Sequence, residues 1–172
     1  MFITNSAINN ALVYVRSPKN AGIVKKLKCP KTGSEQFISP DKTMFIAESG
    51  FHYICIYRFN SYKSLQHFKK VTMGRKKELY NAVGAAYLKN NRYVAVAYQI
   101  PGAKMTSTKR QSVVITVDTK VGKTVRKRYL PFKVSRFIQD SENPKKMFLT
   151  GENAYARDRK KSKYTEAVLF IF

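Results

Sequence analysis

The 172-residue chain contains no tryptophan, two cysteines, two histidines and ten acidic residues. Each scarcity removes a class of function. Two thiols, Cys29 and Cys55, cannot build a disulfide framework. Cys55 lies in a strand-like apolar run and reads as a small core residue, so a reducing compartment is the simpler setting. His52 and His67 have no Cys or His at ligand spacing, which argues against a zinc site. Ten carboxylates are few for an acid–base pair or a metal-dependent nuclease centre. No G-x-S-x-G motif occurs. No apolar run approaches the roughly 20 residues of a spanning helix. The amino terminus has no basic segment before its apolar residues, so it does not read as a signal peptide. The expectation is a protein without enzymatic activity or cofactor, with no membrane span. Its expected place is the cytoplasm or an organelle matrix, with a viral or phage origin left open.

What is abundant is basic charge and β-forming residues. Thirty-three Lys and Arg give a formal net charge of +23, and Tyr and Phe number 11 each. Such an excess repels itself in a compact state, and a polyanionic partner offsets that cost. Nucleic acid is the commonest polyanion, with an acidic protein or membrane surface as alternatives. At this length a single domain, residues 1–172, buries roughly two thirds of its unfolded surface.

The apolar residues come in short recurrent runs. Phe2-Ile3-Thr4 leads to Ala11 through Val15, and Met44-Phe45-Ile46-Ala47 leads to Tyr53 through Tyr57. Tyr93-Val94-Ala95-Val96 leads to Val113 through Val117, and Met147-Phe148-Leu149-Thr150 leads to Ala167 through Phe172. A more polar strand follows the first three of these pairs: Ile23 to Cys29, Leu65 to Val71 and Thr124 to Leu130. Another short strand precedes the last three pairs: Gln36 to Ile38, Ala82 to Leu88 and Val134 to Ile138. With strands lettered a to d within a unit, the chain reads b-c-d, a-b-c-d, a-b-c-d, a-b-c. That is roughly fourteen short strands at a period near 50 residues. A helix over Lys77 to Leu88 is disfavoured by Gly84 and by the repeat. Gly122-Lys123-Thr124 has the ending of a phosphate loop, but it lacks the upstream glycine and sits between strands, so it reads as a hairpin turn.

Ser39-Pro40-Asp41-Lys42-Thr43, followed by Met44-Phe45-Ile46-Ala47, resembles the turn entering an inner strand of a WD-repeat β-propeller blade. Phe51 to Phe59 resembles the strand after it. The resemblance touches about three quarters of the chain, by pattern more than by identity. It departs from the family in lacking every Trp-Asp ending. It also supplies about three and a half units, where closed rings hold roughly four to eight blades. The implied fold is all-β: repeated antiparallel units in a partial or open propeller-like array, with a β-sandwich or irregular β-barrel as alternatives. A second copy or another chain would then complete the sheets through exposed strand edges.

The repeat also predicts where charge collects. The d–a connections carry Lys31, then Arg75, Lys76 and Lys77, then Lys133. On the same side, the long b–c loops near 97–112 and 151–165 carry Lys104, Lys109, Arg110, Arg157, Arg159, Lys160, Lys161 and Lys163. Asp41, Asp140 and Glu142 fall on the opposite side. Arg126 and Arg128 share one strand face, away from Lys127. These cations are candidate phosphate contacts, which position a backbone without reading bases. Tyr98, Tyr155 and Tyr164, in or beside the basic loops, are candidate base-stacking residues. The leading expectation is a structural scaffold contacting RNA or DNA backbone in a larger assembly, such as a ribonucleoprotein. The alternative is a protein–protein interaction subunit that forms a shared or completed β-propeller.

Overall fold

The computed structural model describes residues 2–5, 12–16, 19–20, 23–28, 35–49, 52–59, 66–75, 78–101, 110–140, 142–143, 145–152 and 165–171. The described residues form strands and turns, with no helix among them. The fourteen strands fall into four antiparallel sheets, each a chain-order meander. The first holds β1 (Phe2–Asn5), β2 (Leu12–Arg16) and β3 (Ile23–Lys28). The second holds β4 (Gln36–Ile38), β5 (Met44–Ser49), β6 (Tyr53–Arg58) and β7 (Gln66–Thr72). The third holds β8 (Ala82–Leu88), β9 (Tyr93–Gln99), β10 (Ser112–Asp118) and β11 (Lys123–Leu130). The fourth holds β12 (Lys133–Gln139), β13 (Lys146–Glu152) and β14 (Thr165–Ile171). The grouping matches the b-c-d, a-b-c-d, a-b-c-d, a-b-c reading of the repeat. Among the described residues the sheets do not close into a barrel. Within the disfavoured helix candidate over 77–88, residues 82–88 are strand β8 and residue 77 lies outside the described residues.

The alternation of strand side chains decides the stacking. On the third sheet, Val94, Val96, Tyr98, Val113, Ile115 and Val117 point to one side. They pack there with Met44, Ile46, Ile54, Ile56, Val71 and Met73 of the second sheet and the strand end after it. Ala86, Ala95, Ala97 and Val114 point to the other side, against Val134, Phe137, Met147 and Leu149 of the fourth sheet. The third sheet is thus buried on both faces, and each Ile sealed there contributes about 1.5–3 kcal/mol. Cys55 and Tyr57 occupy the reverse face of the second sheet and are wholly buried. Cys55 is a buried thiol outside any disulfide among the described residues, while Cys29 lies outside them.

The two stacking interfaces close differently. Gly84 of β8 lies so near β12 that an added Cβ would overlap the Phe137 carbonyl oxygen. Only glycine fits there. Polar side chains then stitch the third sheet to the fourth. Gln139 accepts from the Tyr87 N–H at 2.8 Å and donates to the Tyr87 carbonyl at 2.6 Å, as a neighbouring strand would. The Gln99 amide donates to the Val134 carbonyl at 2.8 Å, and the Val134 N–H donates to Ser112 Oγ at 2.9 Å. Between the second and third sheets, the Tyr87 hydroxyl donates to the Phe37 carbonyl. Burial pushes that phenol far above its ordinary pKa, so it stays a donor.

The hairpin turns carry the local chemistry of the sequence. Ser39 donates from Oγ to Asp41 at 2.6 Å and accepts from the Met44 N–H at 2.9 Å. Lys89, Asn90 and Asn91 are three successive left-handed residues, with φ of 48°, 53° and 62°. The Asn91 side chain anchors them by donating to both oxygens of Asp41, at 3.0 and 2.8 Å, and to Thr43 Oγ1 at 2.9 Å. Burial opposes ionisation of Asp41, but hydrogen bonds from Ser39, Thr43 and Asn91 outweigh it and lower the pKa to about 2. At the β10–β11 turn, Asp118 accepts from the Lys120 and Val121 N–H groups at 2.9 and 3.1 Å. Arg92 clamps the same carboxylate at 2.7 Å and holds its pKa low. Gly122, at φ +72°, completes that turn, so Gly122-Lys123-Thr124 is a hairpin and not a phosphate loop.

Candidate functional site

A β-bulge on the outermost strand of the third sheet shapes the site. Tyr129 stands opposite Val113, and Lys127 opposite Ile115. The register then shifts, so that Thr124 stands opposite Val117 and Val125 is left over. Thr124, Lys127 and Tyr129 therefore extend, toward solvent, the face that packs on the second sheet. Arg126 and Arg128, opposite Thr116 and Val114, extend the other face. The separation of Arg126 and Arg128 from Lys127 agrees with the alternation expected from the sequence.

Between the second and third sheets, toward the outer strands, lies a cavity of about 740 Å³. Its floor is apolar: Met73, Leu79, Ile100, Val113 and Ile115. Its rim carries Arg75, Arg110 and Lys127, with Thr124 and Tyr129. Arg75 comes from a d–a connection and Arg110 from the end of a b–c loop, so the fold brings these two together as the repeat predicted. Arg110 lies over the Tyr129 ring, with its guanidinium carbon 4.8 Å from the ring centre. That stacking orients the fork of donors without consuming them. Glu78 is the carboxylate in this lining, and its Oε2 already accepts from the Arg75 backbone N–H at 2.8 Å.

A second cavity, about 980 Å³, opens among the opposite turns. Asp41, Lys89, Asn91, Tyr93, Arg126 and Lys145 line it together with Leu88 and Val125. Asp41 thus lies apart from Arg75 and Arg110, in a setting of mixed charge. Asp140 accepts at its own turn from the Glu142 and Asn143 N–H groups at 2.8 and 3.1 Å, and those bonds lower its pKa.

One nominated residue is corrected. Tyr98 is wholly buried in β9, between sheets, and offers no ring face to a base. It neighbours a loop in sequence, but its alternation carries it inward with Val94 and Val96. Lys31, Lys76, Lys77, Lys104, Lys109, Arg157, Arg159, Lys160, Lys161, Lys163, Tyr155 and Tyr164 lie outside the described residues. Sequence reasoning missed Lys127 and Tyr129 as partners of Arg110. Pairing the outer strand with Val113 through Val117 would have found them. Among the described residues, no three His, Cys, Asp or Glu side chains gather into a metal-binding group. No helix among them is long and apolar enough to cross a membrane.

No family model matches the chain, and no curated protein matches it by sequence. Among solved structures it is similar to Kuenenia stuttgartiensis hydrazine synthase, with a TM-score of 0.64 and 12% identity over 90% of this chain and 41% of that one. It is also similar to Saccharomyces cerevisiae Sqt1, a WD40 β-propeller, with a TM-score of 0.63 and 10% identity over 96% of this chain and 43% of that one. At these identities the likeness concerns fold alone. The chain spans about two fifths of either solved chain, given coverages of 41% and 43%. The all-β sheets and the likeness to Sqt1 are compatible with a WD-like propeller arrangement.

Proposed function

We propose that this chain is a non-catalytic scaffold of propeller-type sheets that holds protein neighbours in a larger assembly. The observation that carries the reading is the cavity between the second and third sheets. Its apolar floor rewards burial of a side chain, and its cationic rim rewards an acidic one. Strand edges add a second mode of contact. Among the described residues, β1 pairs with β2 alone and β14 with β13 alone, so each has an edge on which a second copy or another chain can add a strand.

A second reading, contact with RNA or DNA backbone, draws on the +23 charge and the exposed Arg126 and Arg128 of β11. It predicts affinity that falls steeply with salt. One experiment separates the two: the complex isolated from its native source is sized by light scattering before and after nuclease. The scaffold reading expects a mass well above one chain that survives nuclease. Collapse of the mass, with nucleic acid released, would replace it with the second reading.

A further inference from the structure

We infer that the cavity between the second and third sheets is a docking site for an acidic linear segment of a partner protein, one bearing a large apolar side chain. The inference rests on the scaffold reading and names the chemistry of its partner. Three observations carry it. First, the lining carries three cations against one carboxylate, Glu78, and among the described residues Arg75, Arg110 and Lys127 have no carboxylate within ion-pair distance. The nearby Glu78 is engaged by the turn that holds Arg75. Incoming carboxylates therefore meet cations that break no existing ion pair. Second, Arg110 is held in place by the Tyr129 ring, which favours forked, two-point recognition of a carboxylate. Third, the cavity is floored by the sealed core of Met73, Leu79, Val113 and Ile115, with the partly buried Ile100 and the exposed Tyr129 ring as its accessible apolar surface, and about 740 Å³ is room for an apolar side chain with its flanking backbone.

A nucleic-acid backbone fits this site poorly. Phosphates gain nothing from the apolar floor, and the Arg110 guanidinium already covers one face of Tyr129, leaving less ring for a base. The partly buried Ile100 instead suits an aliphatic or aromatic side chain, which gains from leaving water beside it.

The test uses fluorescence anisotropy with the full chain. The probe is a short fluorescein-labelled peptide with a Phe-Leu pair flanked by aspartates and glutamates. Companion probes replace the acids by Asn and Gln, or Phe-Leu by Ser-Gly, and an oligo-dT strand serves as the polyanion without an apolar anchor. The expected result is saturable binding of the first peptide, weakened about tenfold or more by either replacement. The double variant Arg110→Glu/Lys127→Glu should lose binding to a similar degree. Arg126→Glu/Arg128→Glu, equal in charge change and on the opposite face of the same strand, should bind within about twofold of the parent. Circular dichroism and thermal unfolding check that both variants fold. If one unfolds, Lys127→Glu and Arg126→Glu alone make the same comparison. Equal losses in the two variants, tighter binding of oligo-dT in competition with the peptide, or no saturable peptide binding would overturn the site. A nuclease-resistant native complex alongside such a failure leaves the scaffold reading standing and removes only this site. A nuclease-sensitive complex removes the reading beneath it.

Discussion

The two faces of the third sheet solve the same stacking problem in opposite ways. Toward the fourth sheet the residues are small, with Ala86, Ala95 and Ala97 beside Gly84, and the backbones nearly touch. Toward the second sheet they are large, with Val94, Val96, Tyr98 and Ile115 meeting Ile46, Ile54 and Ile56. Small side chains let sheets approach until Gln139 and Ser112 accept, and Gln99 donates, hydrogen bonds to the backbone across the interface. Large side chains hold sheets apart, and the wedge between them opens outward as the cavity under Arg75, Arg110 and Lys127. A second cavity, about 980 Å³, opens at the turn end beside Thr116, Arg126, Asn143 and Lys145, so residue volume sets how closely the sheets approach along their strands and not which end stays open.

The largest expected effect comes from emptying the wide interface. Ile115→Ala should cost about 2–5 kcal/mol, because the lost contacts are not refilled when large neighbours already space the sheets. Denaturant unfolding measures it, and a loss below about 1 kcal/mol would mean the sheets collapse inward and the spacing is not set by these residues. Gly84→Ala attacks the narrow interface by overfilling it. A new methyl against the Phe137 carbonyl should cost about 1–3 kcal/mol, measured the same way. An unchanged midpoint would show that the narrow interface has slack. Gln139→Leu should cost about 1–2 kcal/mol, since the Tyr87 N–H and carbonyl lose partners in a half-buried place. Hydrogen exchange at Tyr87 should speed up in that variant more than exchange at Val96.

The smallest effect concerns acid. Asp41 is lowered from 3.8 to about 2 by the bonds that tie its turn to Asn91. A carboxylate depressed in the folded state contributes stability that is complete above its unfolded pKa and is lost as pH falls through the folded one. Thermal midpoints should therefore fall between about pH 4 and pH 2, and Asp41→Asn should flatten that limb modestly. A limb of the same slope in the variant would assign the acid sensitivity to Asp118 and Asp140, whose pKa values are also lowered.

Most of the strand pattern was legible in the sequence, because runs such as Tyr93 to Val96 and Met147 to Thr150 are short, β-rich and bounded by turn residues. The Ser39 to Thr43 turn was legible for the same reason. Its residues carry their own hydrogen bonds. Sheet faces were harder to read. In β10 all seven residues are buried, so alternation cannot tell one apolar face from the other. Tyr98 of β9 was misread for another reason: position beside a loop says nothing about which side a ring takes. The bulge at Val125 was equally hidden, because an extra residue leaves no mark on composition. The site was half legible: Arg75 and Arg110 followed from the order of connections, whereas Lys127 and Tyr129 required the register.

The central claim is that a partner protein sits on one chosen face of β11. The native complex, nuclease-treated, would be sized with chains carrying Arg110→Glu/Lys127→Glu or Arg126→Glu/Arg128→Glu. Loss of the partner's mass from the first variant and its retention by the second is the predicted result. Retention by both, or loss from both, would contradict the account.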